Sequence, residues 1–124
     1  MSKSDRNVAQ FDIWQVNLNP TKGSEQSGLR PCLILQTNAV SNYGLTTLIA
    51  PFTSKKIDKI YPYEVSVTPA SQNGLTEISK IKFDQVRVID KQRLIRQIGT
   101  LEPTYISESL SALRIIFDFG GDFR

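Results

Sequence analysis

Asp12 to Leu35 reads DIWQVNLNPTKGSEQSGLRPCLIL. Two apolar runs flank a polar loop. In the first, Ile13 to Leu18, Trp14, Val16 and Leu18 fall on one face, the period-two mark of a half-buried strand. Asn19-Pro20 stops it. Thr21 to Leu29 carries Gly23, Ser24, Ser27 and Gly28 and is too long for a tight hairpin turn. The second run, Cys32 to Gln36, reads as an apolar strand covered on both faces. The loop between them holds a carboxylate, Glu25, and a guanidinium, Arg30, close together at the mouth of a β-hairpin. Such a pair can take up a proton and neutralise a phosphate.

Outward from this hairpin the chain continues in short strands. Thr46 to Phe52 reads as a third strand, followed by a basic loop from Thr53 to Lys59. Tyr63 to Val67 alternates as a fourth, and Asn73-Gly74 closes the loop after it. Thr76 to Phe83 and Val86 to Ile89 read as strands either side of Asp84-Gln85. Lys91 to Arg96 has the composition of one or two helical turns, and Ile98 to Leu101 of a short strand. Pro103 suits the first position of a helix. Ile106, Leu110, Leu113 and Phe117 then recur at helical spacing and predict its buried face. Residues 1–10 and 118–124 read as tails around a single domain. The whole predicts a mainly β fold with a C-terminal helix, a small and strongly bent β-barrel capped by that helix.

Composition narrows the chemistry. The chain has 124 residues, a net charge of +3, one cysteine and no histidine. The absence of histidine excludes imidazole acid–base catalysis, a Ser-His-Asp triad and histidine metal sites. One cysteine excludes an internal disulfide framework, and Cys32 lies where a small buried residue is expected. No apolar run is long enough to span a bilayer, and MSKSDRNVAQ lacks the apolar core of a signal peptide. A cytoplasmic protein with an anionic partner is expected.

The run FDIWQVNLNPTKGSEQSGLRPCLIL resembles the N-terminal signature of the MazF/PemK family of endoribonuclease toxins: an IW pair, NP, then G-S-E-Q and R-P. Two later blocks agree in order, APFTS at 50–54 and FDQVRVID at 83–90. Phe11 departs from the family pattern, which has glycine there, and is expected to affect the start of the strand rather than the chemistry. The resemblance implies an SH3-like or CcdB-like barrel forming a homodimer. It implies metal-independent, sequence-specific cleavage of single-stranded RNA, chiefly mRNA, without a cofactor. It also implies a partner, an antitoxin whose acidic, disordered tail fills the RNA groove. The alternative on the same fold is a non-enzymatic toxin, as in the gyrase-poisoning CcdB proteins.

Carried over residue by residue, Arg30 matches the family's catalytic arginine and Thr53 its active-site threonine. Glu25 matches the base of the MazF branch, and Asp84 the base of the PemK/Kid branch. The Kid branch has an arginine two residues before that aspartate, where this chain has Lys82, so Glu25 is favoured and Asp84 stays as the alternative. Lys22, Ser54, Lys55, Lys56, Lys59 and Lys82 are expected along the RNA backbone. Gln26 and Gln85 suit either base edges or loop ordering. Trp14 and Phe52 are expected in packing, while Tyr61 is the better stacking candidate of the Tyr61/Tyr63 pair.

Overall fold

The computed structural model describes residues 7–118. Seven strands, β1 (Asp12–Asn17), β2 (Leu29–Ile34), β3 (Thr46–Thr53), β4 (Glu64–Val67), β5 (Ser79–Lys82), β6 (Arg87–Asp90) and β7 (Leu94–Thr100), build one antiparallel sheet. Two helices complete it, the single turn α1 (Asn38–Ser41) and the long α2 (Pro103–Ile116). The strand order is β4-β5-β3-β2-β1-β7, with β6 paired to β3 beside β5. No ladder joins β4 to β7, so the expected barrel is a bent but open sheet.

Alternation sorts the side chains onto two faces. Ile13, Leu33, Ala50, Phe52 and Ile81 pack on one, with Phe83, Leu101 and Ala112 of α2. Trp14, Val16, Cys32, Ile34, Ile49, Ile89 and Leu94 form a second apolar cluster on the other. Cys32 and Phe52 are fully buried and Trp14 nearly so, as expected of packing residues. Burial pushes the Cys32 thiol up, against smaller opposing effects of Arg30 and Arg87, so it behaves as a core residue rather than a nucleophile.

Several elements differ from their expected bounds. β2 starts three residues early because Leu29 and Arg30 pair with Asn17 and Val16. β5 covers only the end of the Thr76–Phe83 run, and a 3-10 turn, Phe83–Gln85, follows it. The helical turns expected from Lys91 stop at Arg93, after which β7 runs unbroken to Thr100. Two register shifts against β1 break the alternation that would have marked β7 as one strand. In α2, Pro103 does occupy the first turn, but Leu110 and Phe117 are exposed. Ile106 and Leu113 face the core as expected, and Tyr105, Ser109, Ala112 and Ile116 join them. The small Ser109 and Ala112 let the helix approach the sheet, a preference that counting only large apolar residues misses.

The expected tail over 1–10 is corrected on its described part. Val8 is buried in the second cluster, and Gln10 donates through its side chain to Leu35 O at 2.8 Å. Residues 1–6 and 119–124 lie outside the described residues, and with them most of both tails. Phe11 holds a left-handed backbone, φ 70°. Its N–H donates to Ile34 O and its carbonyl accepts from Leu101 N. A non-glycine residue costs about 1–2 kcal/mol there, which is the physical reason that glycine suits this position at the start of β1.

Candidate active site

The register of β2 on β3 sets Cys32 opposite Pro51, which brings Arg30 beside the end of β3. Arg30 is half-buried. Its Nε donates to Ser27 O at 2.8 Å and its Nη1 to Phe52 O at 2.9 Å. Pro31 restricts Arg30 to extended backbone, and the two carbonyls hold the guanidinium plane. Thr53, the last residue of β3, is buried to 8% exposure, and its Oγ1 accepts from Lys55 N at 3.2 Å. Thr53 also pairs with Lys80 of β5. Arg30, Thr53, Lys80 and Lys82 therefore share one face of the sheet.

A cleft of about 340 Å³ opens on this face. Glu25, Gln26 and Arg30 line it together with Thr53, Lys55, Lys56, Lys80 and Lys82. Cations dominate it, with Glu25 as its carboxylate. The Glu25 Oε1 accepts from Lys22 N at 2.5 Å, so the carboxylate braces its own turn. No ion pair within 4.0 Å joins it to Arg30 among the described residues, so the close pair read from the hairpin is resolved into two groups facing a common space.

Beneath the lysines lies a network that sequence reasoning missed. Glu64 of β4 has a fully buried side chain. It is bonded to Lys80 Nζ through Oε1 and to Lys82 Nζ through Oε2, each at 3.0 Å. The β4–β5 register sets Glu64 opposite Lys82, with Lys80 its diagonal neighbour on the same face. Lys80 Nζ also donates to Lys59 O at 3.0 Å, tying the basic loop down. Burial pushes the Glu64 carboxyl up, but the Tyr61 N–H and the two ammonium groups outweigh it and hold it below its ordinary value. For Lys82, burial acts downward and the Glu64 and Asp84 carboxylates raise the amine above its ordinary range. The only signal in sequence was Lys80 and Lys82 at period two, either side of Ile81.

The remaining expected residues divide. Asp84 sits in the 3-10 turn, 3.7 Å from Lys82, and does not line the cleft. Gln85 Oε1 accepts from Gln26 N at 3.3 Å, a loop-ordering contact. Ser54 lines a smaller neighbouring cleft, whereas Lys22 and Lys59 line neither. Tyr61 stacks on Tyr63, rings 5.4 Å apart, with Lys59 Nζ 5.0 Å from its centroid, and its side chain stays exposed. Among the described residues no group of His, Cys, Asp or Glu is placed to hold a metal ion, and no helix is long and apolar enough to cross a membrane.

The fold is thus a small antiparallel sheet with one packing helix, presenting a guanidinium, a hydroxyl and a carboxylate on a cationic cleft. The chain belongs to the PemK-like, MazF-like toxin family of type II toxin-antitoxin systems, whose family model matches residues 9–117. It is 34% identical over 113 residues to endoribonuclease MazF9 of Mycobacterium tuberculosis, covering 86% of this chain and 93% of that protein. It is 32% identical over 108 residues to endoribonuclease EndoA of Bacillus subtilis, covering 87% and 92%. The fold is similar to that of MazF from Deinococcus radiodurans, with TM-score 0.78, 24% identity, and 93% and 100% of the two chains covered. It is also similar to a mycobacterial endoribonuclease solved in complex with its cognate antitoxin, with TM-score 0.75, 17% identity, and 92% and 98% covered.

Proposed function

We propose that this protein is the toxin of a toxin–antitoxin pair and a metal-independent endoribonuclease that cuts single-stranded RNA at a defined sequence. The observation that carries this reading is the convergence of Glu25, Arg30 and Thr53 on one cationic cleft. Family membership and endoribonuclease relatives support it.

The chemistry needs a base, a stabiliser of the developing charge and a proton for the leaving oxygen. Glu25 takes the proton of the ribose 2′-OH, whose oxygen attacks the adjacent phosphorus. Arg30 lies against the non-bridging oxygens and neutralises the charge that builds on them. Arginine does not act as an acid at neutral pH, so its role is electrostatic. The Thr53 hydroxyl donates to a phosphate oxygen. The 5′ oxygen departs with a proton from water in the open cleft, leaving a cyclic phosphate and a 5′-hydroxyl end. DNA lacks the nucleophile and is inert.

Lys55 and Lys56 hold flanking phosphates. The partner is an antitoxin with an acidic tail, which competes for the same cleft by charge. The protein works as a homodimer in the cytoplasm, where its substrate is made; the open edges of β4 and β7 leave surface for a second copy to cover.

The test is incubation of the purified protein with a long single-stranded RNA in EDTA, with Arg30→Ala alongside. Cuts at a short recurring sequence, with 5′-hydroxyl ends and lost in the folded variant, are expected. Intact RNA, or cutting by Arg30→Ala at the wild-type rate, sinks the assignment.

A further inference from the structure

Arg30, Thr53 and Lys55 line two clefts at once, the cationic one and a smaller one of about 210 Å³. The two clefts meet at these three residues. Leu29, Pro31 and Leu75 give the smaller cleft apolar surface, and Thr76 and Glu77 give it polar groups. We infer that this smaller cleft is a base-binding subsite which selects guanine through Glu77. The inference rests on the ribonuclease reading above and extends it to part of the recognition sequence.

A phosphate held for cleavage by Arg30 and Thr53 sits where the two clefts meet. The nucleosides either side of that phosphate must then fall into the two clefts. The larger cleft, rich in lysine, suits the backbone. The smaller one does not. Apart from the shared Arg30 and Lys55, its one charged residue is Glu77, and a carboxylate repels phosphate. An uncharged planar ring fits better. Leu29, at 63% exposure, is a large apolar side chain that such a ring would cover. Bases in single-stranded RNA are read in this way, by burial of the ring face and hydrogen bonds to the Watson–Crick edge.

Glu77 then decides which base. Among the described residues its carboxylate has no ion pair; the hydrogen bond it accepts, from Ser79 Oγ, goes to its backbone carbonyl. An ionised carboxylate only accepts. Guanine presents two parallel donors, N1–H and the 2-amino group, and so makes a bidentate pair. Adenine and cytosine each offer an amino group beside a ring-nitrogen acceptor. Uracil offers N3–H between two carbonyl oxygens that the carboxylate repels. Guanine is therefore favoured and uracil disfavoured.

The experiment maps the wild-type cut sites in a long RNA, then measures kcat/KM on the best site as a short oligonucleotide. A second oligonucleotide carries inosine, which lacks only the 2-amino group, in place of the flanking guanosine. Wild type is expected to require guanine at one position beside the scissile phosphate and to lose about tenfold or more on inosine. Glu77→Ala, a change at an exposed residue, is expected to lose a similar factor on guanosine and to cut both oligonucleotides alike. Cut sites without guanine at either flank, or a Glu77→Ala variant that keeps the guanosine-over-inosine ratio, overturn the subsite and leave the ribonuclease standing. RNA left whole by wild type overturns the ribonuclease reading and the subsite with it.

Discussion

Two carboxylates compete for the role of base, and their surroundings separate them. Glu25 faces the cleft with Arg30 and Thr53, whereas Asp84 lies 3.7 Å from Lys82 and outside that lining. Glu25→Gln is therefore expected to slow single-turnover cleavage by about 10²–10⁴-fold, and Asp84→Asn by less than about tenfold. The reverse order would assign the base to Asp84. Arg30 makes two side-chain bonds to carbonyls. Arg30→Lys keeps the charge but loses the fork, so it is expected to fold and to cleave at least about 10²-fold more slowly. Thermal unfolding and a cleavage time course check both. Glu25, Arg30 and Thr53 were legible as single residues because each sits in a local motif. Glu64 was not, since its partners Lys80 and Lys82 are distant in sequence and meet it only through strand register.

At the scale of elements, β7 is locked to the loop before β5. A Cβ on Gly99 would lie 2.4 Å from Gln72 O and 2.5 Å from the Asn73 carbonyl, and one on Gly74 would lie 2.0 Å from Ile98 O. Backbone meets backbone here, with no side chain to move aside. Gly99→Ala is expected to destabilise by about 1–3 kcal/mol or more, read from urea unfolding. The β4–β5 pair carries a pH dependence. Glu64 is held below its ordinary pKa in the fold. As pH falls past about 4.3, the unfolded chain takes up a proton that the folded chain does not, so stability is lost as pH drops through the folded value. Tm is expected to fall with acidification in that window, and more steeply in wild type than in Glu64→Gln. A Glu64→Gln variant that tracks wild type across that range would remove Glu64 from the account.

For the whole molecule, the net charge of +3 understates the local field. Five cationic side chains and a single carboxylate line the cleft. Single-stranded RNA bound there releases counterions, and the slope of log affinity against log salt is about −0.7 per phosphate neutralised. Binding of an uncleavable RNA is expected to show a slope near −2 to −3, for three or four contacts. Lys55→Ala and Lys56→Ala should each make it shallower by about 0.7. Filter binding across a salt series measures this, and a slope unchanged in both variants would take the basic loop off the RNA path. Lys80 is expected to behave differently: its ammonium is already bonded to Glu64 and to the Lys59 carbonyl, so its loss should register in stability.

Local patterns, then, settled much by themselves. Alternation marked β1 and β4, Pro103 marked the start of α2, and the G-S-E-Q, R-P and FDQVR blocks carried the family. Those signals are readable because strand period, proline geometry and motif spacing depend on near neighbours. Only the tertiary structure decided which residues meet. It put Ser109 and Ala112 rather than Leu110 and Phe117 against the sheet, left the sheet open, buried Glu64 beneath two lysines, and set Glu25 but not Asp84 on the cleft with Arg30. Each of these outcomes depends on pairing register and on close approach between distant segments, for which a linear sequence holds no local mark.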